Sequence, residues 1–261
     1  MEDKDPFSSF DWYFTDASAE DGARRRALND RPQQTLALMH VVSANSLMHF
    51  ALWSELPAGH PVAELWLETQ TDLLATIYLA YGGFFRQALT ILRSWFEIAV
   101  HGVFFSEHYG QPNDRYEQWR RGRRNAPAKM LDLARSLASR ADKAVNVEES
   151  AILDKLGPVY EFLSLQTHAQ GLDIYDLQKG RDNVPRYLPE SFDLWLAKVL
   201  EAFNAICFLY RLFFPKEIAA YLKGSRAELE RMVELTRVLR SPIPEFGTLV
   251  DDVLVLVARS G

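Results

Sequence analysis

Four polar side chains fall on one face of a mostly apolar stretch between Phe84 and His108: Arg86, Arg93, Glu97 and His101. At about 100° per residue they occupy a stripe roughly 80° wide. Arg93 and Glu97 stand four apart, the spacing that lets opposite charges pair along a helix. Such a stripe is either the solvent side of the helix, an internal ion pair, or the wall of a pocket. In the last case the forked guanidiniums of Arg86 and Arg93 would bind a phosphate or carboxylate, as planar donors do. A second constellation, Glu161, Ser164 and His168, has i, i+3, i+7 spacing. A carboxylate and a hydroxyl beside an imidazole can set its tautomer and raise its pKa, although a histidine near a helix end also caps carbonyls.

A third feature is electrostatic. From Arg115 to Arg140 there are eight basic residues against two acidic ones, densest at Arg120, Arg121, Arg123 and Arg124 with Lys129 beyond. The stretch is a solvated charged face or a local contact for a nucleic-acid backbone or an acidic partner. A fourth is the aromatic cluster Phe7, Phe10, Trp12, Tyr13 and Phe14 among aspartates. It reads as a strap on the protein's own body or as a docking peptide. Phosphate-binding glycine loops, a nucleophile elbow and a His-Glu-x-x-His zinc helix are all missing, and the six histidines have no metal spacing. No metal and no cofactor is expected.

These groups need helices to position them. The stretches Gln33–Leu56, Val62–Tyr81, Phe84–His101, Ala128–Leu156 and Glu190–Phe214 contain no proline, and glycine enters none of them. Alternating strand patterns with Asn-Gly or Asp-Gly turns are lacking. The β-branched run near Val253–Val257 has no second strand to pair with and is read as a last helix. The expected fold is therefore all-α: an aromatic and acidic extension over residues 1–32, a bundle over 33–215 and a helical extension over 216–261. Helix breaks are expected at Gly82-Gly83, as a kink or a loop, and at Gly157-Pro158, with a new helix starting at Pro158.

The chain has 261 residues, 29 basic and 35 acidic, for a net charge of −6, with 48% hydrophobic and 12% aromatic residues. That is ample for a core and excludes a disordered chain. A single cysteine, Cys207, rules out an internal disulfide framework and fits a reducing compartment. The N-terminus has no apolar leader, and the greasiest run, Leu194–Phe214, carries Lys198, Glu201 and Arg211. A cytoplasmic protein with no membrane span is expected.

The stretch from Ala80 to Glu97 contains a glycine turn followed by Ala-Leu-x-x-x-Arg-x-x-x-Glu, and Tyr160, Ser164 and His168 form Tyr-x-x-x-Ser-x-x-x-His. Over residues 63–214 this resembles a group of bacterial helical proteins related to the higher eukaryote and prokaryote nucleotide-binding (HEPN) superfamily. The resemblance implies a bundle of four to five long helices. It also implies a place among bacterial defence or toxin–antitoxin systems, where many members are metal-independent ribonucleases. Catalytic members carry an arginine separated from a following histidine by four to six residues, and no histidine here has one. The expectation is thus a non-catalytic or degenerate module that binds a protein partner, a second copy or RNA. A ribonuclease using His168 as general base and Arg93 as charge stabiliser, with Glu97 a third candidate catalytic residue, is the alternative, and a scaffold subunit of an oligomer is another.

Overall fold

The computed structural model describes residues 31–107, 109–110, 115–122, 129–145, 149–167, 187–240 and 242–259. The aromatic cluster Phe7 to Phe14, Arg123, Arg124 and His168 lie outside the described residues. Ten helices and no strand are found among the described residues: α1 Pro32–Glu55, α2 Pro61–Tyr81, α3 Phe85–Ser106, α4 Arg115–Arg120, α5 Met130–Val145, α6 Glu149–Thr167, α7 Pro189–Phe213, α8 Pro215–Gly224, α9 Arg226–Leu239 and α10 Pro244–Arg259. The all-α class expected from the residue pattern is what the chain adopts.

Prolines at positions 32, 61, 189, 215 and 244 each open a helix. The fixed φ suits the first turn, and the missing N–H would have had no partner there. The Gly82-Gly83 pair is a loop. Gly83 takes φ +77°, the left-handed region that favours glycine, and Phe84 N–H donates to the Leu79 carbonyl at 2.8 Å. That closure ends α2 and turns α3 back against it.

Two boundaries depart from the pattern. No break occurs at Gly157-Pro158: α6 runs through both. Proline disfavours helix in the preceding residue because its Cδ crowds that residue's N–H and Cβ, and Gly157 lacks the Cβ. Conversely, a break falls inside the helical extension at Ser225, where no proline marks one. Ser225 ends α8 in an extended conformation and its hydroxyl accepts from Glu228 N–H at 3.4 Å, capping α9.

Helix α3 lies at the centre, against α2, α5, α6 and α7. The heart of the core is aromatic: Trp66 of α2 meets Trp95 of α3 at 6.4 Å and Tyr210 of α7 at 4.8 Å, and Trp95 stacks on Phe203. All four are fully buried, each contributing about 2–3 kcal/mol of apolar burial. Trp66 Nε1 donates to the Asn45 carbonyl and Trp195 Nε1 to Thr76 Oγ1, so these indoles also find hydrogen-bond partners. Residues 216–259 add Ile218, Leu222, Met232, Phe246 and Val250 to the same hydrophobic cluster. Arg31 forks onto Asp193 at 2.7 and 2.8 Å and fastens the start of α1 to the first turn of α7.

Candidate functional site

The stripe on α3 faces neighbouring helices. Arg93 Nε donates to Glu97 Oε1 at 2.7 Å, and its Nη2 donates to the hydroxyl of Tyr160 on α6 at 3.2 Å. The guanidinium also lies over the Tyr160 ring, 5.3 Å from its centroid. Burial works against the charge on Arg93. The hydrogen bond and charge of Glu97, with Tyr160, outweigh it, so the pKa is raised and the cation is firmly held. The side chains of Arg93 and Glu97 are 17% and 30% exposed. The pair is a half-buried clasp between α3 and α6. Arg86 stands two turns earlier on α3, half-buried.

His101 completes the stripe in a different environment. Its Nδ1 is 2.6 Å from the Glu97 carbonyl, and its ring stacks on Trp119 of α4 with an 18° interplanar angle. Burial pushes its pKa down despite Glu97. A neutral ring lying between helices is the result.

Beside the clasp an open cleft of about 440 Å³ lies between α5 and α6. Its walls are Met130, Leu131, Ala134, Leu156 and Leu165, with Gly157, Tyr160, Glu161 and Ser164 on the α6 side. Leu131 and Leu165 are 44% and 40% exposed there. Tyr160 therefore joins both features: its ring lines the cleft and its hydroxyl receives Arg93. The structure brings Arg93, Glu97, Tyr160 and Ser164 into one neighbourhood, on two adjoining helices.

Among the described residues of the basic stretch, Arg120, Arg121 and Arg135 are paired within the chain. Arg120 Nη1 reaches Glu64 Oε2 at 3.2 Å and Glu117 at 3.4 Å, and Arg121 Nε meets Glu117 at 3.4 Å. Glu64 also accepts from the Tyr116 hydroxyl at 2.6 Å. Burial and this bond hold the Tyr116 proton on, raising its pKa. Arg135 pairs with Asp132, while Lys129 is exposed. Arg140, counted with this stretch by sequence, turns inward. It donates to the Val103 carbonyl and Ser106 hydroxyl at the end of α3 and lies 4.5 Å from the Phe213 ring centroid. Its burial lowers its pKa.

Sequence reasoning missed Arg140 as a helix-end clamp, though a cation meeting the last carbonyls of a helix is a known pattern. It also missed the cleft, because Leu131 and Leu165 look like core leucines. No group of three or more histidine, cysteine, aspartate or glutamate side chains able to hold a metal occurs among the described residues. Helices α1 and α3 are long and apolar enough to cross a membrane, yet 56% and 61% of their most apolar windows are buried within the bundle. No family model matches the chain, and no curated protein or solved structure is similar enough to count as a match.

Proposed function

We propose that the chain is a non-catalytic, HEPN-like helical module that binds a protein partner by taking an apolar helix ridge into the α5–α6 cleft. One observation carries the reading: among the described residues lining that cleft no basic side chain occurs, and the nearby Arg93 is engaged by Glu97 and Tyr160. RNA cleavage without a metal needs a cation at the developing phosphorane charge and a proton acceptor beside it. Apolar walls with a carboxylate and two hydroxyls instead suit a helix laid in a groove, anchored by leucine-like side chains with polar groups at the edge.

The test uses purified full-length chain with structured RNA in EDTA, and in parallel the fluorescent apolar probe anilinonaphthalene sulfonate. The expected result is no cleavage above a protein-free control, and probe binding that disappears when Ser164→Trp fills the cleft. EDTA-resistant cleavage that is lost in His168→Ala would overturn the reading in favour of a ribonuclease.

A further inference from the structure

The outward side of α1 carries a pattern that neither the core nor the cleft uses. Leu36, Met39, Ser43, Ser46, Phe50 and Trp53 follow one another at steps of three and four, the spacing of a coiled-coil seam. The opposite side of α1 supplies Leu38, Val41, Ala44, Met48 and Leu52 to the core. The four large seam residues, by contrast, are 45%, 61%, 57% and 57% exposed. An apolar seam of about 26 Å on a helix already buried on its other side is more than scattered surface hydrophobicity.

The seam is also palindromic. Read from either end it runs large, large, small, small, large, large. If two copies of α1 lie antiparallel about a two-fold axis between Ser43 and Ser46, Leu36 faces Trp53 of the second copy. In the same register Met39 faces Phe50, and Ser43 faces Ser46. That pairing of residue i with j and j with i is what an isologous interface requires. The small serines at the centre allow close approach of the two backbones, toward the lower end of the usual 8–10 Å helix separation. The Ser46 hydroxyl already donates to the Val42 carbonyl at 2.9 Å, so burying it leaves no unsatisfied donor.

Charge selects this occupant over others. Residues 32–54 contain no aspartate, glutamate, lysine or arginine, so the antiparallel seam brings no formal charges together. From Pro32 to Phe85 there is no lysine or arginine at all, while Glu55, Glu64, Glu68 and Asp72 lie in this stretch. An anionic lipid surface attracts through basic residues and is disfavoured here. Exposed Leu67 of α2 lines one cleft with Trp53, where the seam gives way to Glu64, Glu68 and Arg120, the last paired with Glu64 and Glu117.

We infer that α1 is the interface of an antiparallel, two-fold homodimer, formed along Leu36, Met39, Ser43, Ser46, Phe50 and Trp53. The inference is independent of the cleft and of what binds there.

Sedimentation equilibrium of the full chain from about 1 to about 100 µM reads the mass. A mass near twice 29.9 kDa is expected, with association weakened by about 30-fold or more in Met39→Glu and in Phe50→Glu. Both side chains are mostly exposed, so an unchanged circular dichroism spectrum is expected of the variant monomers. Disulfide trapping reads the register: Ser43→Cys mixed with Ser46→Cys forms a cross-linked dimer faster than either variant alone. The native Cys207 is buried and stays out of the reaction. A monomer throughout this range overturns the proposal, whether the chain then binds phosphatidylserine vesicles or stays free. A dimer indifferent to both glutamates, or faster self-cross-linking of each single cysteine variant, overturns it equally.

Discussion

Arg140 and Arg121 sit in the same basic stretch of sequence and have opposite surroundings. Arg121 is 70% exposed beside Glu117, whereas Arg140 lies across the end of α3 with two hydrogen bonds and an aromatic face. Arg140→Met is expected to lower the unfolding free energy by about 1–2 kcal/mol, because it leaves the Val103 carbonyl and Ser106 hydroxyl without that donor. Arg121→Met is expected to stay within about 0.5 kcal/mol, as exposed pairs do. Urea titrations of both variants check the contrast. Histidine supplies a pH dependence at the same level. Burial lowers the pKa of His40, His49, His60 and His101 from the ordinary 6.5, and His60 Nδ1 accepts from Val62 N–H, which demands a neutral ring. The unfolded chain takes up protons first, so this stability is complete above about pH 6.5 and is lost as pH falls below it. His60→Asn keeps an acceptor at the cap and removes the titration. Its unfolding free energy is expected to fall less steeply between about pH 7 and 5, by up to about 1.4 kcal/mol per pH unit.

Helix α6 carries a proline in its interior and continues through it. Pro158 removes the hydrogen bond to the carbonyl four residues back and crowds it, an arrangement that disfavours a helix by up to about 3 kcal/mol. Pro158→Ala is expected to raise the unfolding free energy by about 1 kcal/mol or more, measured by urea denaturation; a loss of stability would contradict this. Ser225→Ala, which removes the cap of α9, is expected to cost about 1 kcal/mol. These two places also show what could be read from the chain beforehand. The opening prolines and long proline-free stretches made the bundle legible, since each acts within one turn of itself. The break expected at Gly157-Pro158 is absent because glycine, with no Cβ, relieves part of the clash that usually makes proline a boundary. The Ser225-x-x-Glu228 signature was present, but it lay inside a stretch that no proline interrupts.

Across the whole molecule, Arg93 and Glu97 were legible as a pair because the spacing that joins them is local. Their bond to Tyr160 crosses 67 positions and depends on how α3 meets α6, which no periodicity encodes. The outward seam of α1 was hidden for another reason: the helix is apolar on nearly every side, so core and surface positions look alike until burial separates them. The functional reading depends on the clasp between α3 and α6 being structural rather than a poised catalytic group. A double-mutant cycle of Arg93→Met and Tyr160→Phe, followed by urea denaturation, reads this directly. Each single change is expected to lower the unfolding free energy by about 1–2 kcal/mol, with a coupling of at least about 0.5 kcal/mol between them. Stability unchanged in both variants would contradict it, leaving an arginine and a tyrosine held together for some purpose other than the fold.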